Sequence, residues 1–122
     1  MQASILTRPE RPLYSDDHLK IDFDQQTVTV DSGAVLLTAK EYALLAFLAE
    51  HAGEVLARES LLRSVWGYSD QVRTRTLDVH LARVRKKLGR FGRQYIETVF
   101  GAGCRFQPQA SQHSLAAVRH VA

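Results

Sequence analysis

Leu77, Leu81, Val84 and Leu88 stand four, three and four residues apart within the stretch Thr74 to Leu88, TRTLDVHLARVRKKL. That spacing puts all four on one side of an α-helix, and no strand can do the same. At about 100° per residue, Thr76, Val79, Arg83, Lys87 and Arg90 fall on the opposite side, with Arg75 and Lys86 flanking them. One side of the segment must be seated on a core, and the other carries charge. The charge is also sorted along the chain. Residues 72–105 hold nine Lys or Arg against two acids, Asp78 and Glu97, whereas residues 13–71 hold four basic residues against ten acids. The net charge of +3 therefore conceals a dipolar protein. A basic helix face also suits a merely solvated surface, but sorted charge on one helix is the footprint of a phosphate-rich partner.

The surroundings of this helix define a fold. Leu19 to Phe23 alternates, Thr27 to Val30 is β-branched throughout, and Ala34 to Leu37 is apolar. The turn residues Asp24-Gln25-Gln26 and Asp31-Ser32-Gly33 separate them, and Leu13 and Tyr14 add an edge strand, so an antiparallel sheet is expected. The period then changes. Thr38 followed by Glu41 is a capping box, and Tyr42, Leu45, Leu48 and Ala49 recur at helical spacing up to a stop near Gly53. A second helix spans Arg58 to Trp66, with Leu61, Leu62 and Val65 expected inside. Its N-cap, Ala57, has no side chain that can cap. The basic helix, 74–88, is third and stops at Gly89. Residues 95–107, with the turn Gly101-Ala102-Gly103, read as a β-hairpin. The fold class is thus α+β: a winged helix-turn-helix with an N-terminal four-stranded antiparallel sheet, three helices and a C-terminal hairpin wing. Residues 13–107 form the domain, 1–12 a linker, and 108–122 a flexible tail.

An α-helix fits the major groove of duplex DNA, where its outer side chains meet base edges. Arg83 lies mid-face, with a planar fork suited to guanine, while Val79 and Thr76 suit thymine methyls. Arg75, Arg85, Lys86, Lys87 and Arg90 are placed for phosphates. On the hairpin, Thr98 and Arg105 are candidates for the backbone.

Three blocks, LTAKEYALLAFLAEHAGEVLARESLLRSVWG, TRTLDVHLARVRKKLG and YIETVFGAGCRF, closely resemble the output domain of OmpR/PhoB-type response regulators, over roughly Leu19 to Phe106. The resemblance implies base reading by Arg83, with Thr76, Asp78 and Val79 near base edges. It implies phosphate contacts from Arg75, His80, Arg85 and Thr98, and a buried role for Trp66. It implies that Tyr68, Ser69, Asp70, Gln71, Val72 and Arg73 form the loop that faces RNA polymerase in family activators. Double-stranded DNA is the implied partner, bound by two copies on direct repeats. Three positions depart from the family pattern. Ala82 stands where some members place a further phosphate-binding arginine, Phe100 where many place an arginine that enters the minor groove, and Cys104 where tyrosine is common, so the wing, 95–107, is expected on the backbone or minor groove, there with weak or apolar contact.

Family members carry an N-terminal receiver domain phosphorylated on an aspartate, and this chain reaches its first strands by Leu19. Two readings stay open: an output domain separated from its receiver, or a stand-alone regulator without phosphorylation control. A winged-helix protein-interaction module that does not bind DNA is a further alternative, distinguished by the absence of a DNA mobility shift and by partner binding that is insensitive to salt.

Other classes find little support. His18, His51, His80, His113 and His120 are scattered, and the one cysteine, Cys104, forms no zinc spacing. No Gly-rich phosphate loop follows a strand. The reading is of a non-enzyme without cofactor, metal or small-molecule substrate. No apolar run approaches the roughly 20 residues that cross a bilayer, so no membrane partner is expected. The sole cysteine and the absence of a signal-peptide pattern point to the cytoplasm.

Overall fold

A computed structural model describes residues 13–67 and 74–109. The expected linker, the loop 68–73 and most of the expected tail lie outside the described residues. The chain divides into two compact units, one containing Leu13–Val35 and Gln109, the other Leu36–Pro108.

In the first unit, β1 (Leu13–Ser15), β2 (Leu19–Asp22), β3 (Thr27–Val30) and β4 (Gly33–Val35) form an antiparallel sheet in sequential order. The register aligns Tyr14, Ile21, Val28 and Val35 in a row across the sheet. Tyr14, Leu19, Ile21 and Val28 are buried, as period-2 alternation requires. Asp16 builds the first turn, its carboxylate accepting the backbone N–H groups of His18 and Leu19 at 2.8 Å each. Asp31 and Ser32 both adopt positive φ, at 50° and 71°, which a two-residue hairpin loop with the right twist demands.

The second unit is built on helices. The Thr38 hydroxyl accepts from the Glu41 N–H at 3.2 Å, and the Glu41 carboxylate accepts from the Thr38 N–H at 2.9 Å. This reciprocal cap starts α1 (Ala39–Glu50). The buried side of α1 is wider than the expected stripe: Leu44 and Ala46 are buried along with Leu45, Leu48 and Ala49, while Tyr42 is half-buried. A short strand, β5 (Val55–Leu56), leads into α2 (Arg58–Trp66). As expected, Ala57 supplies no side-chain cap. Lys40 Nζ instead serves the other end of α2, donating to the Val65 carbonyl at 2.9 Å, where a cation meets the negative end of the helix dipole.

The basic helix is α3 (Thr74–Lys87). It packs on α1 and α2, with Leu77, Leu81, Val84 and Leu88 at most 3% exposed. Besides β5, two features are additional to the expected order. A 3₁₀ turn (Gly89–Phe91) and a one-turn helix, α4 (Gly92–Tyr95), follow α3 in the stretch that sequence reading left without an element before the hairpin start at Tyr95. The hairpin strands are β6 (Ile96–Val99) and β7 (Gly103–Phe106), and β5 pairs with β7 to complete a three-stranded sheet. Tyr95, read as a strand residue, therefore closes a helix, its ring stacked on Phe106 at 5.7 Å.

Candidate nucleic-acid interface

The leucine stripe of α3 is inside, so its other side is displayed. Arg75, Asp78, Ala82, Arg83 and Lys86 are exposed, Val79 is 38% exposed, and Thr76 is half-buried. Arg83 thus stands where an α-helix entering a groove would present its side chain. Asp78 is held in place: Arg58, at the start of α2, donates to its carboxylate at 2.6 Å. A carboxylate near base edges accepts from the amino group of cytosine, and Arg58 fixes its direction. Spacing along α3 gives no sign of Arg58, which lies twenty residues away.

His80 is half-buried. Its Nδ1 lies 2.9 Å from the Thr76 carbonyl, and a carbonyl only accepts, so Nδ1 carries the hydrogen. A phosphate contact through Nε2 then requires the imidazolium form. Trp66, the aromatic that the resemblance implies is buried, is half-buried. It meets the His80 ring edge-on, centroids 4.9 Å apart.

Besides His80, four of the expected phosphate ligands have polar partners inside the protein. Arg85 Nε donates to the Ile96 carbonyl at 3.0 Å, and its Nη2 donates to the Thr98 hydroxyl at 2.8 Å. This fork ties α3 to β6. The chain can fold back closely here because residue 92 is glycine: a Cβ on Gly92 would lie 2.0 Å from the Arg85 carbonyl oxygen. Arg85 and Thr98 therefore position the wing as a pair. Arg105 donates to Glu97 through Nε at 3.1 Å and Nη2 at 2.8 Å, a pairing across the hairpin. Lys87 differs most from its helical-wheel position. Its Nζ reaches back and donates to Glu41 at 2.7 Å, and the Glu41 side chain is only 2% exposed. Burial pushes the Glu41 carboxyl up, but the hydrogen bond and charge of Lys87, together with the Thr38 N–H, outweigh it and hold the group below the usual carboxylate range. The ammonium of Lys87 thus balances a buried charge.

Lys86 and Arg90 are exposed, and Arg90 lies 5.0 Å over the Phe91 ring. Together with Ala82, Gly89, Arg93 and Phe100 they border a cleft of about 670 Å³ between α3 and the hairpin. Arg93 belongs to this basic wall and escaped sequence reading, because residues 90–94 were assigned to no element there. Cys104 is buried at 1% exposure. Burial raises its thiol pKa, and the nearby guanidiniums of Arg85 and Arg58 offset this only partly, so it is a packing group rather than a nucleophile. The loop Tyr68 to Arg73 lies outside the described residues. Among the described residues, no helix is long and apolar enough to cross a membrane.

Residues 32–106 match the family model described as "Transcriptional regulatory protein, C terminal". The transcriptional regulatory protein SrrA of Staphylococcus aureus is 41% identical over 97 residues, which is 77% of this chain and 40% of SrrA. The chain thus spans less than half the length of the curated relatives it matches. Among solved structures, DrrB, an OmpR/PhoB homologue from Thermotoga maritima, is 34% identical with a TM-score of 0.74, covering 86% of this chain and 52% of DrrB. The DNA-binding domain of RstA from Klebsiella pneumoniae, solved in complex with the RstA box, is 31% identical with a TM-score of 0.71, covering 80% of this chain and 99% of the domain.

Proposed function

Because the chain belongs to the OmpR/PhoB-type family of transcriptional regulator C-terminal domains, we propose that it binds double-stranded DNA sequence-specifically and regulates transcription. The observation that carries this reading is the outer side of α3. Arg83 stands mid-face and exposed, Val79 and Asp78 flank it, and the opposite stripe is wholly buried. In this reading α3 lies in the major groove. Arg83 reads guanine, Val79 and Thr76 meet thymine methyls, and Asp78, aimed by Arg58, accepts from cytosine. Arg75, Lys86 and Arg90 bind phosphates, joined by His80 when protonated. Arg85, Thr98 and Arg105 fix the wing against the backbone, and Lys87 holds the base of α3.

One such domain reads a short half-site, so two copies on direct repeats supply the affinity. Within a longer regulator, the loop 68–73 faces RNA polymerase, and an attached receiver controls the pairing of copies. The site of action is the cytoplasm, where the DNA is.

Fluorescence anisotropy with duplexes selected from a random pool tests the reading. Affinity is expected to fall steeply with salt, because bound phosphates release counterions; no binding to any duplex would favour the protein-interaction module instead. Arg83→Ala is expected to lose about 1–3 kcal/mol at the selected site and little on random DNA. Unchanged discrimination would remove Arg83 from the base-reading role. Lys86→Ala is expected to weaken both duplexes alike and to flatten the salt slope by about one; a loss confined to the selected site would contradict a phosphate contact.

A further inference from the structure

The cleft of about 670 Å³ between α3 and the hairpin gathers charge of one sign. Arg85, Lys86, Arg90 and Arg93 line it, and Glu97 is the one acid among its described lining residues. That acid is paired with Arg105. The guanidinium of Arg85 makes its hydrogen bonds to neutral oxygens, the Ile96 carbonyl and the Thr98 hydroxyl, so its charge is not balanced. Among the described residues, neither Lys86 nor Arg93 has a hydrogen-bond or ion-pair partner. Like charges gathered without partners oppose folding, and low-dielectric walls concentrate their field in the cleft between them.

Arg93 is brought to this cleft on a rigid arm. Gly92 and Tyr95, on either side of it in α4, are both buried. Gly92 lies against the Arg85 backbone, and the Tyr95 ring stacks on Phe106. The Gln107 N–H closes on the Tyr95 carbonyl at 2.8 Å. Little backbone freedom therefore remains to be lost when a ligand binds. The cleft also continues the displayed side of α3. Lys86 follows Arg83 by three residues, on the adjacent turn of the same helix face. Arg90 and Arg93 extend this basic surface beyond the end of the helix. With α3 in a groove, a strand bounding that groove runs along this surface and presents one phosphate per nucleotide. A guanidinium fork matches phosphate oxygens in geometry as well as charge. An acidic protein segment matches the charge, but nothing would align it with Arg83.

We propose that Arg93 is a phosphate ligand, and that the cleft is a track for the DNA backbone that carries contact past the end of α3 onto α4. This rests on the DNA-binding reading above and adds to it a contact made from outside the basic helix.

The test uses the 122-residue chain, its Arg93→Ala and Arg93→Lys variants, and a duplex bearing the site that the wild type selects. Arg93 is exposed, so Arg93→Ala is expected to unfold at the wild-type temperature or slightly above it, as a repulsion is removed. It is expected to bind selected and random duplexes alike about three- to tenfold more weakly, and to flatten the salt slope by about one. Arg93→Lys is expected to keep the slope, because the charge remains, and to recover part of the affinity. Single phosphates of the duplex are then replaced by neutral methylphosphonates. At one position flanking the α3 site, the replacement is expected to weaken the wild type by the same factor and to leave Arg93→Ala unaffected. The assignment is overturned if Arg93→Ala binds duplex as the wild type does, or if every replacement weakens both proteins equally. A loss confined to duplexes carrying two repeats would also overturn it, because Arg93 would then join two copies of the chain. Unchanged duplex binding with loss of binding to inorganic tripolyphosphate would overturn it in favour of a free polyphosphate site. A wild type that binds no duplex would instead remove the DNA-binding reading itself, and the track with it.

Discussion

Replacing Gly103 with alanine is expected to destabilise the protein by about 3–5 kcal/mol, measured from the urea midpoint at unchanged slope. Two penalties coincide at this residue. Its φ is +149°, outside the range that side-chain-bearing residues favour, and a Cβ there would lie 2.0 Å from the Leu56 carbonyl oxygen and 3.0 Å from the Ala57 Cα. Those are backbone atoms, so no side chain can swing aside. Overpacking of this kind costs about 1–3 kcal/mol, occasionally more, and the backbone conformation adds a further 1–3 kcal/mol or so. Relief comes only if β7 moves off β5, which loosens the platform that carries the hairpin. The comparison variant is Gly101→Ala. Gly101 also has a positive φ, +81°, but a Cβ there would meet nothing within 4 Å. It isolates the conformational penalty, expected at about 1 kcal/mol. Equal losses at the two glycines would show that crowding against Leu56 is not the cause. The DNA consequence is also specific: Gly103→Ala is expected to weaken contacts made through the wing while leaving the preference set by Arg83, because α3 rests on α1 and α2.

The sequence disclosed what depends on neighbours along the chain. The α3 stripe is buried as its spacing requires, the Thr38–Glu41 box closes both of its hydrogen bonds, and the four strands of the first sheet pair in sequential order. All of these follow from period and local hydrogen bonding. What remained hidden depends on partners far away in sequence. The strand β5 has only two residues and exists because β7 lies beside it. The helix α4 follows from the close approach of Gly92 to the Arg85 backbone, which no pattern in residues 89–95 announces. The outer side of α3 was legible as a surface but not as a set of roles. A helical wheel gives the direction in which a side chain leaves the backbone. Lys and Arg stems are long enough to turn back from that direction, so Lys87 reaches Glu41 forty-six positions away and Arg85 reaches Ile96 and Thr98. Of the cations on and just after α3, the ones displayed to a ligand are consequently Arg75, Arg83, Lys86 and Arg90, together with the unforeseen Arg93.

Lys87→Met is expected to destabilise the protein by about 2–3 kcal/mol at neutral pH. Removing one partner of a buried ion pair costs about 3–5 kcal/mol. Here Lys87 remains 38% exposed, so solvent weakens the pairing and the loss is smaller. The pH dependence identifies the mechanism. In the wild type the Glu41 carboxyl is held below its ordinary value of 4.5. A depressed folded-state value gives stability that is fully present above the unfolded value and is lost as pH falls through the folded one. Without Lys87, the burial of Glu41 is opposed mainly by the Thr38 N–H, and the carboxyl titrates at higher pH than in the wild type. Protonation then relieves the variant before it begins to harm the wild type. The stability gap between the two is therefore widest near neutrality and narrows as pH falls toward and below 4.5. A gap independent of pH would mean that Lys87 contributes through packing of its methylene stem and not through Glu41. The same variant separates structural from ligand-binding cations on α3. Because its ammonium is held by Glu41, losing Lys87 is expected to leave the salt slope of DNA binding unchanged, in contrast to Lys86→Ala. A slope flattened by about one in Lys87→Met would instead show that DNA draws this lysine away from its buried partner.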